Sequence, residues 1–233
     1  MSCIVIGDIH GRDLWKYIVQ KHPNDQVVFV GDYFDSKDKI SAENQIKNFS
    51  NILAYKKQYA DRVTLLLGNH DYHYLPEAEN KHYSGYQSNR APDIMEILAP
   101  AVWEGWIEIC KKHGSYLISH AGITRTWCKT HQVTSKDPET EINQLFIKNP
   151  GAFGFSPGAK NDVSGNEPEQ GPLWVRPQSL EKDQLSGFIQ VVGHTQTPSI
   201  IPDNSPILID IFGYSPKYLE IKDDGEAQVL GIW

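Results

Sequence analysis

The sequence predicts an α/β protein with a mainly parallel sheet covered on both faces, followed by antiparallel strands. Two observations carry this. In the first half, short apolar runs rich in β-branched residues alternate with segments of helical period. In the last quarter, strand-like runs follow one another closely, with a hairpin signal between two of them.

Each element has its own reason. Residues 2–6, "SCIVI", are apolar throughout and end at Gly7. "RDLWKYIVQK" places Leu14 and Ile18, with Trp15 and Val19 beside them, on one helical face. Residues 26–30, "QVVFV", form a second run ending at Gly31. A helix over "SAENQIKNFSNILAYKKQYA" follows from the spacing of Ile46, Phe49, Ile52 and Leu53, with Ser41 as its N-cap. Residues 62–67, "RVTLLL", form a third run ending at Gly68. A helical region spans about 91–112, interrupted at Pro100. "SYLIS" at 115–119 is a fourth strand. Residues 129–172 are rich in Pro, Gly, Asn and charge, and read as a long insertion packed over the site, with a short helix near "INQLFI". "GFIQVVG", "PILIDIF", "KYLEIKDD" and "AQVLGIW" read as antiparallel strands, and "DDG" at 223–225 as a hairpin turn.

With 233 residues, 39% hydrophobic and 22% charged, the chain suits one globular domain, or at most two small ones. Cys3, Cys110 and Cys128 are too few and scattered for a disulfide framework, so they read as reduced thiols of a cytoplasmic protein. "MSCIVIGDIHG" has no basic leader segment, and no apolar stretch has the length of a membrane span. A net charge of −7 disfavours long nucleic acids. A small phosphate ligand stays compatible with it if bound cations reverse the local field.

The chemistry collects where the strands end, as it does in parallel sheets. "GDIHG" supplies Asp8 and His10. "GDYFD" supplies Asp32 and Asp35. "GNHD" supplies Asn69, His70 and Asp71. "HAG" follows His120, and "GHTQ" carries His194. Carboxylate, imidazole and amide oxygen together suit borderline divalent cations such as Mn, Fe or Zn. A carboxylate shared between two such cations would let the pair acidify a water and neutralise a phosphate.

The blocks "GDIHG", "GDYFD", "GNHD", "SHAG" and "GHT", in this order over residues 7–196, resemble those of the calcineurin-like metallophosphoesterases. The resemblance implies a four-layer αββα sandwich with mixed sheets. We read residues 1–233 as a single such domain, with 129–172 as a substrate-groove insertion. The resemblance implies two divalent metal ions, with Mn the usual activator. Asp8 and His10 would bind the first, Asp32 would bridge, and Asn69, His120 and His194 would complete the second. His70 would be the general acid toward a phosphoester attacked by a metal-bridging hydroxide, and Asp35 would orient its imidazole. Asn69 also falls where the substrate phosphate would sit.

Two details resemble the phosphoprotein-phosphatase branch. Gln196 in "GHTQ" stands where many phosphodiesterases of the superfamily have a second His, and "GPLWVRP" resembles an "LWxR" segment that would bring Arg176 to the phosphate. One detail departs. The branch usually has "GDxxDRG", and Ser36 stands here in place of the Arg. Lys37, Lys39 or Arg12 could substitute. Arg12, at a helix start, could equally lie on the surface.

The leading expectation is a phosphomonoesterase acting on phosphoserine or phosphothreonine in proteins. A dinucleoside polyphosphate or nucleotide hydrolase is the close alternative, and a diesterase is third. A non-catalytic metal-binding scaffold is the alternative of another class; retention of all six ligands and His70 speaks against it. The expected partner is a phosphorylated substrate, whether phosphoprotein, nucleotide or small phosphoester, with no long nucleic acid and no membrane. Asp71 is expected to support its loop by hydrogen bonding. His73 and His82 read as solvated loop histidines, and Trp103 and Trp106 as core. Asp210 could support a ligand histidine or serve a structural role.

Overall fold

The computed structural model describes residues 1–78, 81–158 and 160–233. Among these described residues, ten strands and seven α-helices follow in order. They are β1 (Cys3–Ile6), α1 (Trp15–Lys21), β2 (Gln26–Phe29), α2 (Ala42–Gln58), β3 (Val63–Leu66), α3 (Asn69–Tyr72) and α4 (Ala91–Trp103). Next come β4 (Ile107–Glu108), β5 (Cys110–His113), β6 (Tyr116–Ser119), α5 (Arg125–Thr130), α6 (Pro138–Lys148) and α7 (Pro177–Asp183). The chain closes with β7 (Ile189–Val192), β8 (Ile207–Leu208), β9 (Lys217–Ile221) and β10 (Ala227–Gly231).

The strands form two mixed sheets, ordered β10-β9-β1-β2-β3-β4 and β5-β6-β7-β8. In the first, β1 through β4 run parallel, with Ile4 beside Val27 and Val28 beside Thr64. All four residues of β1, of β3 and of β6 are buried, as uninterrupted apolar runs between covered faces require. α1 packs through Trp15 onto Phe29 of β2; α2 and α4 cover β3 and β4. α6 packs on β5, and Leu180 of α7 lies in a cluster with Val192 of β7. Helices outside and two sheets within give the αββα arrangement.

α2 begins where its cap predicts, with the Asn44 N–H donating to Ser41 Oγ, and it buries Phe49 and Ile52 while Ile46 and Leu53 are partly buried. Several expectations are corrected, that of Trp103 as a core residue among them. The helix expected to span 91–112 stops at Trp103, and Ile107–Glu108 and Cys110–His113 are strands. Pro100 does not end α4, because it sits in the last turn, where the missing N–H removes a single bond. The fourth strand, β6, belongs to the second sheet. There β7 pairs parallel to both β6 and β8, so only β9 and β10 of the C-terminal strands are antiparallel. The link of over a dozen residues between β7 and β8 leaves room for a parallel return, which the short apolar runs alone did not reveal. Trp103 is 43% exposed, lying flat on Phe146 at the end of α4. All three cysteines are free and buried. Among the described residues, no helix is long and apolar enough to cross a membrane.

Candidate dinuclear metal centre

The loops after β1 and β2 are joined by backbone bonds. His10 N–H donates to Asp32 O at 2.6 Å and Gly11 N–H to Tyr33 O at 3.0 Å. Asp71, fully buried, holds this junction: its carboxylate accepts the N–H groups of Asp32, Tyr33 and Gly68 at 2.8, 2.8 and 2.9 Å. The expected supporting role of Asp71 is therefore present in the geometry. Asp71→Ala should cost about 3 kcal/mol or more, since each buried N–H left without a partner costs on the order of 1–3 kcal/mol. Urea unfolding of the metal-free protein measures it, and an unchanged midpoint would show that the three donors find other partners.

Among the described residues, six non-glycine residues have positive φ, and four of them are His10, Asp32, Asp35 and His194. Left-handed backbone at such residues is held only where surrounding contacts fix it, and here it gathers at one place. Two glycines are required by close approach. A Cβ at Gly68 would lie 2.1 Å from Asp32 Oδ1, and one at Gly193 1.9 Å from Asp8 Oδ1.

Backbone carbonyls fix the imidazole tautomers. His10 Nδ1–H donates to Phe34 O at 2.7 Å, His120 Nδ1–H to Val30 O at 2.9 Å, and His194 Nε2–H to Trp174 O at 3.1 Å. The other ring nitrogens carry lone pairs and point inward. His10 Nε2 lies 3.6 Å from Asp32 Oδ2, and His120 Nε2 lies 3.5 Å from Asp32 Oδ1. His120 Nε2 and His194 Nδ1 converge on Asn69 Oδ1 at 2.9 and 2.8 Å. With these tautomers, three acceptors face one point. A cation among them satisfies all three; without one, the amide must turn its NH2 toward the rings. Asp8, Asp32 and His120 offer donor atoms all within 4.8 Å of one another, and Asp8 accepts the His194 N–H.

The electrostatics agree with the donor chemistry. Burial pushes His194 well below its ordinary value, reinforced by His120 and Arg176, and burial likewise lowers His120 and His10. All three stay neutral and able to ligate. Burial, then the charges of Asp210 and Asp32, push Asp8 well up. Burial also opposes ionisation of Asp32, yet any proton carried by His120, His70 or His10 outweighs it, and with the His70 backbone N–H donating to it that carboxyl is held low. Crowded carboxylates with neutral imidazoles are a set that divalent cations relieve, so the residues fit a dinuclear centre.

Beside this set, His70 Nδ1 lies 2.9 Å from Asp35 Oδ2. Asp35 also accepts Tyr74 Oη–H at 2.5 Å and Gln87 Nε2–H at 3.0 Å. His73 corrects the sequence expectation. It is buried, with Nε2 2.7 Å from Asp35 Oδ2, whereas His82 is exposed and stacks on Tyr86. The signal was available: a residue three after His70 on a helical turn shares its face. Burial opposes ionisation of Asp35, but bonds from His70, His73 and Tyr74 bring its carboxyl below the ordinary 3.8. Its stabilising contribution is then complete above that value and disappears as pH falls through the lower folded value. The stability difference between the natural protein and Asp35→Asn should therefore grow as pH falls through the raised His70 value, because Asp35 favours the His70 imidazolium, hold steady from below the ordinary 6.5 to about 4, and close below that. Acid titration of both in urea measures this.

A cavity of about 700 Å3 opens over the centre, lined in part by Lys37, Asn69, His70, Arg176, His194 and Gln196. Arg176 donates from Nε to Ser164 O and from Nη1 to Thr195 Oγ1, both at 3.1 Å. Arg12 does not line it. Its Nε donates to Asp38 at 2.8 Å, and it borders a separate hollow of about 480 Å3. Lys37 has neither a hydrogen bond nor an ion pair among the described residues, and Lys39 does not line the cavity. Asp210 is buried, with no bond to a ligand histidine; one of its oxygens has no hydrogen-bond partner.

The chain belongs to the calcineurin-like phosphoesterase family, whose model matches residues 1–198. It is 28% identical over 140 residues to a symmetrical bis(5′-nucleosyl)-tetraphosphatase of Psychromonas ingrahamii, covering 54% of this chain and 46% of the relative. The chain spans about half the length of the curated relatives it matches. In structure it is similar to a cold-active protein-tyrosine phosphatase of a psychrophilic Shewanella species, with TM-score 0.63, 18% identity, and coverage of 98% of this chain and 80% of that one. It is also similar to a protein serine/threonine phosphatase of Saccharomyces cerevisiae, with TM-score 0.56, 12% identity, and coverage of 99% and 79%. These two likenesses show the fold.

Proposed function

We propose that this protein is a dimetal phosphoester hydrolase that transfers a terminal phosphoryl group to water. The observation that carries it is a cation-ready donor set beside the Asp35–His70 pair, with Asn69, His194 and His70 opening onto one cavity. Asp8, His10 and Asp32 would hold one cation, and Asp32, Asn69, His120 and His194 the other. Two cations there supply Lewis acidity toward the phosphoryl oxygens and lower the pKa of water. Manganese is the proposed metal, with iron and zinc suited to the same ligands.

The remaining work falls to side chains. His70 donates Nδ1–H to Asp35 and carries a second proton on Nε2. As the bond from water oxygen to phosphorus forms and the ester P–O bond breaks, that proton passes to the leaving oxygen. Burial opposes the imidazolium, but the carboxylates of Asp32 and Asp35 raise His70, which keeps the acid form available. Arg176 and Asn69 bind phosphoryl oxygens, and Lys37 supplies the charge that Ser36 lacks.

Two substrate readings follow. "GHTQ" and "LWVRP" favour phosphoserine or phosphothreonine in proteins. The bis(5′-nucleosyl)-tetraphosphatase relatives favour a nucleoside polyphosphate. The test is turnover by the manganese-loaded protein on an aryl phosphomonoester and its matching diester, side by side. Dominant monoesterase activity is expected. Dominant diesterase activity would overturn the monoester reading, and two bound metals without turnover on any phosphoester would overturn hydrolysis.

A further inference from the structure

Three aromatic rings form one wall of the cavity. The Tyr83 and Trp174 ring centroids are 4.3 Å apart, Phe155 and Trp174 5.4 Å, and Tyr83 and Phe155 5.9 Å. Trp174 is buried and backs the other two, which are only partly buried. The wall is fixed to the metal centre, because the Trp174 carbonyl accepts the His194 Nε2–H. It is also fixed to the acid. Tyr83 N–H donates to His73 Nδ1 at 3.4 Å, and His73 touches Asp35. A Cβ at Gly85, two residues beyond Tyr83, would stand 3.5 Å from His70 Cε1.

This placement bears on the leaving group. The acid protonates the leaving oxygen, so whatever that oxygen carries extends into the space beside His70. The segment running through Tyr83 and Gly85 borders that space. Partly exposed aromatic rings there offer π-faces and edges to a flat ring, a gain that a short alkyl chain cannot collect. We infer that Tyr83, Phe155 and Trp174 form a leaving-group subsite that selects phosphoesters bearing a planar aromatic ring. The ring belongs either directly to the leaving oxygen, as in tyrosyl phosphate, or to a nucleobase. The inference rests on the phosphoester-hydrolase reading and sets it against an alkyl leaving group such as serine.

Binding of uncleavable ligands tests the subsite without turnover. Calorimetry on the manganese-loaded full chain compares phenylphosphonate with cyclohexylphosphonate, equal in size but not in flatness. A second pair compares adenosine 5′-(α,β-methylene)diphosphate with methylenediphosphonate. In at least one pair the ring-bearing ligand should bind about tenfold tighter, the scale of one stacked ring, and that pair identifies the source of the ring. The preference should vanish in Tyr83→Leu/Phe155→Leu, while Trp174 is left in place to keep the core. Equal binding within both pairs, or a preference unchanged in the double variant, overturns the subsite. A ring preference together with no turnover on any phosphoester supports the subsite and sinks the hydrolase reading instead, so the two failures are distinct.

Discussion

Asp32→Asn is expected to leave the protein folded and to remove turnover. The residue lies between the two histidine groups, facing His10 through one carboxylate oxygen and His120 through the other. It also accepts the His70 N–H at 2.9 Å through Oδ1. Asparagine keeps that acceptor and the volume, and loses the negative charge shared by both cation positions. Removing a partner that merely orients a ligand lowers metal affinity or activity about 10- to 100-fold, so loss of the shared ligand itself should exceed about 100-fold. Metal content should fall from two ions per chain to one or none. A second readout needs no substrate. Manganese at a hundred times its Kd stabilises a folded protein by about 2.7 kcal/mol, and the variant should lose most of that increment. Two ions retained with full stabilisation would remove Asp32 from the bridging position.

His70→Asn should instead keep both metals. Its ring is not in the proposed ligand set, and its backbone N–H to Asp32 survives the change. General-acid catalysis is worth on the order of 10^2–10^4 in rate, and the loss should depend on the leaving group. An alkyl alkoxide needs the proton, so alkyl phosphates should suffer the full loss. A nitrophenolate leaves almost unaided, so nitrophenyl phosphate should suffer much less. Equal losses on both would show that His70 positions substrate and does not donate a proton.

Much of the candidate site was legible because the residues proposed as its ligands follow strands. Buried runs such as "CIVI" and "VTLL" are unambiguous, and a parallel sheet directs attention to their carboxyl ends. Asp8, His10, Asp32, Asn69 and His70 sit there for that reason. Less legible was whatever depends on tertiary partners. The carbonyls of Phe34, Val30 and Trp174 fix the histidine tautomers, and a backbone carbonyl leaves no mark in side-chain chemistry. His73 looked solvated because its burial comes from Tyr74, Tyr83 and Tyr86, which pack around it only in the fold. The edge between the sheets was misread at 104–112 because two short strands there carry "IEICKKH", with too little alternation to displace a helical reading.

The centre draws on both sheets. Asp8, His10, Asp32 and Asn69 follow strands of the six-stranded sheet, while His120 and His194 follow strands of the four-stranded one. The His194 N–H to Asp8 bond closes a loop of 186 residues. If these residues are the ligands, cation uptake reports a late event in the life of the chain. During refolding, each sheet can pair its own strands with no metal present, but a complete set of ligands exists only once the sheets have docked. A metal-sensitive signal becomes a clock for that docking, and a nascent chain that has not yet presented His194 has no finished centre to load.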